Sequence, residues 1–263
     1  MKAISSSANP AFKSWLRLAA QPRAARRMRH ALAEGLHLAQ AALDAAAKVE
    51  SVLLRQGARG AEVERLAEIA MTAGAVGHEL AATLFDRICP ADHGVGLMLE
   101  VEVPEFSLPV EATHDLVYLD GIQDPGNVGT LLRTAAAAGI GEVLAGPATA
   151  ALWAPKTLRA AQGAHFRLRL HEQILADALP ATLDGPWYGT DTKAAEPLWS
   201  AALPARSMGW VFGGEGAGLS PSARAICRRC VSIPIDAAAE SLNVAAAAAI
   251  CLFERRRRLS TSP

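Results

Sequence analysis

Aromatic side chains make up only 5% of this 263-residue chain, and cysteine is rarer still, with four residues. So few cysteines in so long a chain exclude a disulfide-stapled scaffold and point to a reducing compartment, the cytoplasm. No apolar run reaches the roughly 18 residues that a membrane span requires. The alanine-rich stretch Ala245–Leu252 is shorter and flanked by charge, so no membrane partner is expected. The first residues lack the apolar block of a secretory signal. Cys227 and Cys230 have the spacing of a metal pair, but structural zinc takes four ligands and no second pair exists, so no metal is expected. G-x-G-x-x-G spacing and the Walker P-loop are both missing, which argues against nicotinamide and P-loop nucleotide chemistry. Nor is there an excess of either charge, with 26 Lys and Arg against 26 Asp and Glu.

The neutral total hides local asymmetry. From Met1 to Ala33 there are seven basic residues, Lys2, Lys13, Arg17, Arg23, Arg26, Arg27 and Arg29, and no acid. Lys156, Arg159, Arg167 and Arg169 form a second acid-free stretch, and Arg255–Arg258 a third. Such stretches are compatible with a phosphate-binding face and equally with solvated helix surfaces. Hydrophobic residues reach 51%, enough for a well-buried core.

Two textures divide the chain. Residues 1–104 mix helical patterns with short strands: a run from Arg26 through Glu34 and Gly35 into a helix ending near Ala47, a strand at Val49–Leu54, a helix at Ala61–Met71 and a strand at Gly94–Val103. Residues 105–114, which hold Pro109 and follow directly on Pro104, read as a linker. Residues 115–263 alternate strands and helices. Strands are expected at 115–120, 141–146, 166–170, 187–191, 208–213 and 230–235, and a last helix over Leu242–Arg258. That alternation predicts an α/β domain with a parallel sheet covered on both faces.

Ligands of such sheets bind outside the carboxyl ends of the strands. Three loops follow strands there: DGIQDPGNVGTLLRTAAAAG from Asp120, GGEGAGLSPSAR from Gly213, and IPIDAAAESLNVAAA from Ile233. Individually each has a structural explanation. Asn127 and Ser241 suit helix caps, the glycines suit tight turns, and Arg133 and Glu215 suit solvated surfaces. His165 and His171 are expected on a surface, and Trp153, Trp187, Trp199 and Trp210 in a core or a dimer contact.

Together, in this order and at these positions, the loops resemble the three motifs of SpoU/TrmH-type SPOUT methyltransferases. The first spans Leu119–Gly139 with an N-x-G-x-x-x-R core at Asn127, Gly129 and Arg133; the second is FGGEGAGLSP with Glu215; the third is IPIDAAAESLNVAA with Ser241 and Asn243. The amino-terminal region is similar to the L7Ae-like substrate-binding domain attached to many of these enzymes. That similarity rests on SSANPAFKSW, where Asn9, Pro10 and Lys13 match N-P-x-x-K, on AEGLHLAQAAL, and on LFDRICPADHGVGLMLEV. Phe85 and Cys89 stand where a serine and a threonine are commoner.

The resemblance implies S-adenosylmethionine-dependent 2′-O-methylation of RNA, with 23S rRNA favoured over tRNA by the amino-terminal domain. A base methyltransferase of the same superfamily and a non-catalytic ribosome-assembly factor are the alternatives. It further implies a trefoil knot in the second domain and a homodimer in which Arg133 reaches the partner's donor site. Thr190, Phe212, Gly213, Gly214, Ile233, Ser241, Leu242 and Asn243 match the donor-binding positions, and Asn127, Arg133, Glu215, Ser241 and Asn243 the catalytic ones. The family assigns the arginine to activating the hydroxyl. A guanidinium is a poor base, so an electrostatic clamp on the 3′ phosphate and the developing alkoxide is the preferred role for Arg133. Lys13, Arg17, Arg23, Arg26, Arg27 and Arg29 are the expected RNA contacts outside the site.

Overall fold

The computed structural model describes residues 1–58, 60–89 and 94–261. Residues 90–93 of the run LFDRICPADHGVGLMLEV therefore lie outside the described residues. The chain divides into two compact units, Met1–Pro104 with Trp153–Phe166, and Glu105–Leu152 with Arg167–Pro263. Residues 153–166, which the sequence reading assigns to the second domain, thus belong to the first unit.

The first unit runs β1 (Lys2–Ile4), α1 (Pro10–Ala20), α2 (Ala24–Met28), β2 (His30–Glu34), α3 (Gly35–Asp44), β3 (Val49–Arg55), α4 (Ala61–Thr72), β4 (Val76–Leu80), α5 (Ala82–Ile88) and β5 (Leu97–Glu102). Its sheet has the order β1-β4-β3-β5-β2. β1, β4 and β3 are parallel, and β5 is antiparallel to both β3 and β2. Asn9 Oδ1 accepts from the amides of Ala11 and Phe12 at 2.9 and 3.3 Å, and Pro10 opens the helix, where its missing N–H costs nothing. Phe12, Trp15 and Leu18 then fall on the buried face of α1, and Lys13 and Arg17 on the exposed one. The run after Arg26 does not lead straight into a helix. Arg29 adopts a left-handed φ of 60°, ending α2, and His30–Glu34 pairs with β5 before α3 begins. Its HALAE sequence is too short for periodicity to separate strand from helix.

The second unit contains β6 (Leu116–Asp120), α6 (Pro125–Ala138) and β7 (Glu142–Ala145); after α7 (Pro155–Ala161), which joins the first unit, come β8 (Arg169–Glu172), β9 (Trp187–Thr190), β10 (Glu196–Pro197), β11 (Gly209–Gly213), α8 (Pro221–Ile226), β12 (Cys227–Ser232) and α9 (Val244–Thr261). The sheet is parallel throughout, in the order β10-β12-β9-β11-β6-β7-β8. Leu116–Leu119 and all of β7 are buried, as a sheet covered on both faces requires. From β6 the chain winds outward to β7 and β8, then returns to build β9, β11 and β12 on the other side. The direction of winding therefore reverses between β6 and β11, the switch point at which such sheets bind ligands.

Two strands are displaced from their expected positions. Ala164–Arg167 is a 3-10 turn, and β8 begins at Arg169. β12 ends at Ser232, before Pro234, which has no N–H to give a ladder. His165 and His171 are buried, not on the surface. His165 lies against the Trp153 ring, and His171 Nε2 is 2.6 Å from the buried Glu142 carboxylate. Trp153, Trp187 and Trp210 are core residues, whereas Trp199 is 54% exposed. The closing run Arg255–Arg258 is spent inside the unit. Arg255, 4% exposed, forms a two-pronged ion pair with Asp115, Arg256 donates to Ala137 O, and Arg257 and Arg258 pair with Glu254.

Candidate active site

The first loop leaves β6 and enters α6. Asp124, not Asn127, caps that helix, accepting from the Asn127 amide at 2.8 Å, and Pro125 follows in the first turn. The side chain of Asn127 is thereby released to face other loops.

The second loop leaves β11 and is tied at both ends to Asp120, the last residue of β6. The Gly214 amide donates to Asp120 O at 2.9 Å and the Ser220 amide to Asp120 Oδ2 at 2.6 Å. The two leading glycines are dictated by main-chain crowding. A Cβ on Gly213 would lie 2.3 Å from Gly218 C, and one on Gly214 would lie 2.6 Å from Gly121 O. Backbone fills the space a side chain would need, so these glycines fix the loop against its neighbours as well as bordering whatever binds there.

The third loop ends at α9. Asn243, not Ser241, caps this helix: its Oδ1 accepts from the Ala245 and Ala246 amides at 2.9 and 3.4 Å. That bond points Nδ2 the other way, where it donates to Asn127 Oδ1 at 2.9 Å and to Glu215 Oε1 at 3.1 Å. Asn127 Nδ2 also donates to Glu215 Oε1. One residue from each loop thus meets in a closed triangle of hydrogen bonds.

Beside the triangle opens a cavity of about 500 Å³. Thr190, Gly213, Gly214, Ile233, Ser241 and Leu242 border it, as does Glu215, so the triangle and the cavity share a wall. Phe212 does not reach the cavity; it is fully buried and stacks on Trp210 at 6.1 Å. Asn243 belongs to the triangle and is not part of the lining. Arg133 is exposed on α6, apart from the lining, and has no hydrogen bond or ion pair among the described residues. Val231, Ile233, Leu242 and Val244 line the cavity together with residues 213–219.

Asp120, Asp191 and Arg224 are site-forming residues that the sequence reading left without a role. Asp120 and Asp191 are acids at the carboxyl ends of strands, and that position was the available signal. The Asp191 carboxyl is held below its ordinary range by the Lys193 amide and by Arg224, both of which favour its charged form. Burial pushes the Cys227 thiol up to about 12 and raises that of Cys230, which keeps both protonated. No group of three or more His, Cys, Asp or Glu among the described residues is arranged to hold a metal ion. In the first unit Lys13, Arg17, Arg23, Arg26 and Arg27 are exposed, whereas Arg29 turns its guanidinium onto Val103 O at 3.2 Å.

Residues 115–253 match the family described as the SpoU rRNA Methylase family. The chain is 30% identical over 263 residues to the 23S rRNA (guanosine(2553)-2′-O)-methyltransferase RlmP of Bacillus subtilis, covering 97% of this chain and 100% of that protein. It is 31% identical over 239 residues to the 23S rRNA (guanosine-2′-O-)-methyltransferase RlmB of Bordetella pertussis, covering 85% and 96%. The AdoMet-bound rRNA methyltransferase from Sinorhizobium meliloti superposes with a TM-score of 0.85 at 26% identity, over 98% of each chain. With the motif triangle closed, a cavity beside it and rRNA methyltransferase relatives matched over nearly their whole length, the chain belongs to the SpoU rRNA methylase family.

Proposed function

We propose that this protein transfers a methyl group from S-adenosylmethionine to a ribose 2′-hydroxyl of 23S rRNA, a guanosine ribose by the names of its relatives. The observation that carries this reading is the Asn127–Glu215–Asn243 triangle on the wall of the cavity. A retired, purely RNA-binding relative would have no need to keep it.

S-adenosylmethionine, when bound, supplies a methyl group activated by a positive sulfur. Thr190, Gly213, Gly214, Ile233, Ser241 and Leu242 would hold it, and Phe212 would back the wall from the core. Asn243, fixed by its capping bond, sets the orientation of both Asn127 and Glu215. Asn127 and Glu215 orient the ribose, and Ser241 and Asn243 order the hydroxyl beside the donor. Arg133 binds the 3′ phosphate and stabilises the negative charge that develops on the 2′ oxygen. Holding the two reactants in line can contribute roughly 7–11 kcal/mol in ideal cases.

The same reading makes the protein a homodimer. Its support is that Arg133 is exposed, without a partner among the described residues, and outside the lining of its own chain's cavity, as a residue that completes a neighbour's site would be. A trefoil knot closed by β12 and α9 belongs to the proposal, as does an L7Ae-like, RNA-binding first unit. The latter is supported by Lys13 standing on the exposed face of the helix that Asn9 and Pro10 begin. Mapping 2′-O-methyl groups in total RNA from a deletion strain and its parent tests the function. Loss of one guanosine methyl in 23S rRNA is expected; a lost tRNA mark would move the substrate, and an unchanged map would remove the enzyme reading.

A further inference from the structure

Of the charged residues bordering the cavity, Asp191 and Arg224 are joined in an ion pair, Asp191 Oδ2 to Arg224 Nη2. Asp191 follows the last residue of β9 and organises the turn after it. Its amide donates to Val231 O at 3.0 Å, its Oδ1 accepts from the Lys193 amide at 2.9 Å, and its carbonyl accepts from the Ala194 amide at 3.1 Å. Arg224 stands on α8, beyond the loop that carries Glu215, and its second nitrogen lies 3.7 Å from Cys230 Sγ. The pair therefore joins three parts of the cavity rim: the turn at Thr190–Lys193, α8 and β12. Its carboxylate is largely shielded and its guanidinium half exposed, at 19% and 51%.

A pair this exposed adds little to global stability, because solvent screens it and ordering both side chains costs entropy. α8 has its own anchors in the Ser220 cap and the buried Ala223. What the pair can still do is local, and the local structure is the rim. We infer that Asp191 and Arg224 are positioning residues for the methyl donor: their ion pair holds the Thr190–Lys193 turn in the form that closes the donor cavity. This inference rests on the methyltransferase reading given above.

The test uses the full-length protein and titrates S-adenosylmethionine and S-adenosylhomocysteine by calorimetry. Asp191→Asn retains an acceptor for the Lys193 amide but removes the charge, and Arg224→Ala removes the partner. Each is expected to weaken donor binding about three- to fivefold, near the upper range for exposed pairs. Donor KM should rise by a similar factor, with kcat at saturating donor and RNA within about twofold. Arg224→Lys, which keeps the charge, should recover most of the affinity. The double variant Asp191→Asn/Arg224→Ala should be no worse than either single one, since both remove the same interaction. Amide exchange at residues 190–194 should quicken in the variants while the sheet is unchanged. Single variants that bind both ligands as tightly as wild type overturn the inference alone, as would additive losses in the double variant. A wild-type protein with no affinity for either ligand overturns the methyltransferase reading and this inference with it.

Discussion

At the scale of single residues, Asn243 caps α9 with its oxygen and holds Asn127 and Glu215 with its nitrogen. The two duties separate by mutation. Asn243→Asp keeps a good cap but sets a second carboxylate beside Glu215, so melting temperature should hold while methyl transfer collapses. Asn243→Ala loses both, with about 1 kcal/mol of stability from the cap. Thermal melts and single-turnover methylation on one preparation check the pair, and an active Asp variant would remove Asn243 from the site. Arg133→Ala should abolish transfer while donor affinity stays within a few-fold, and Arg133→Lys should fail substantially because a point charge lacks the planar fork. Full turnover by the alanine variant defeats the clamp. The motif residues were legible from order and spacing, but their capping roles were not. A short polar residue ahead of a helix serves equally well as a cap or a ligand, and the partners of Asn127 lie 88 and 116 positions away.

At the scale of elements, sequence reading succeeded where a pattern is enforced locally. β6, β7, β9 and β11 are apolar runs between turn signals, and each lies within a residue or two of its expected bounds. It missed β1, β4 and β2, whose short sequences become strands only through pairing in the mixed sheet. It also offered the terminal arginines as a phosphate face, whereas α9 uses them to dock on its own unit. Arg255 meets Asp115, Pro204 O and Arg206 O, and Arg258 meets the carbonyls of Leu198, Trp199 and Ala201. Arg255→Ala would leave the partly buried Asp115 carboxylate without its ion-pair partner, and removing one side of a buried pair costs about 3–5 kcal/mol. Denaturant unfolding should show a loss of that size, and a change near zero would mean solvent already serves Asp115. Glu254 gives the same helix a pH dependence. Arg257 and Arg258 hold its carboxyl at about 2, against 4.5 for an ordinary one. A depressed folded value contributes stability above the unfolded value and loses it as pH falls. Acid unfolding should therefore steepen between about pH 4.5 and 2 in the wild type and less so in Glu254→Gln, a difference that paired melts would reveal.

At the scale of the whole molecule, the question is what the basic residues of the first unit do. Amputating that unit is a poor test, because residues 153–166 fold with it. A chain beginning near Glu111 would retain Trp153, Leu158 and Ala161, all buried in the intact protein, without the unit that they belong to. Charge neutralisation in the full chain avoids this. Lys13, Arg17, Arg23, Arg26 and Arg27 are exposed and available to phosphates, whereas Arg29 is engaged with Val103 O and belongs to the fold. If the first unit binds rRNA through these five, each Gln substitution that removes a phosphate contact lowers the slope of log affinity against log salt by about 0.7 to 0.9. Arg29→Gln should instead lower the melting temperature and leave the slope of the folded protein nearly unchanged. Both variants, measured against the same 23S rRNA fragment from low to physiological salt, separate the two classes of basic residue. A five-fold substituted protein with the wild-type slope and turnover would show that substrate recognition lies elsewhere, and an Arg29 variant with a shallower slope and unchanged stability would return that residue to the RNA face.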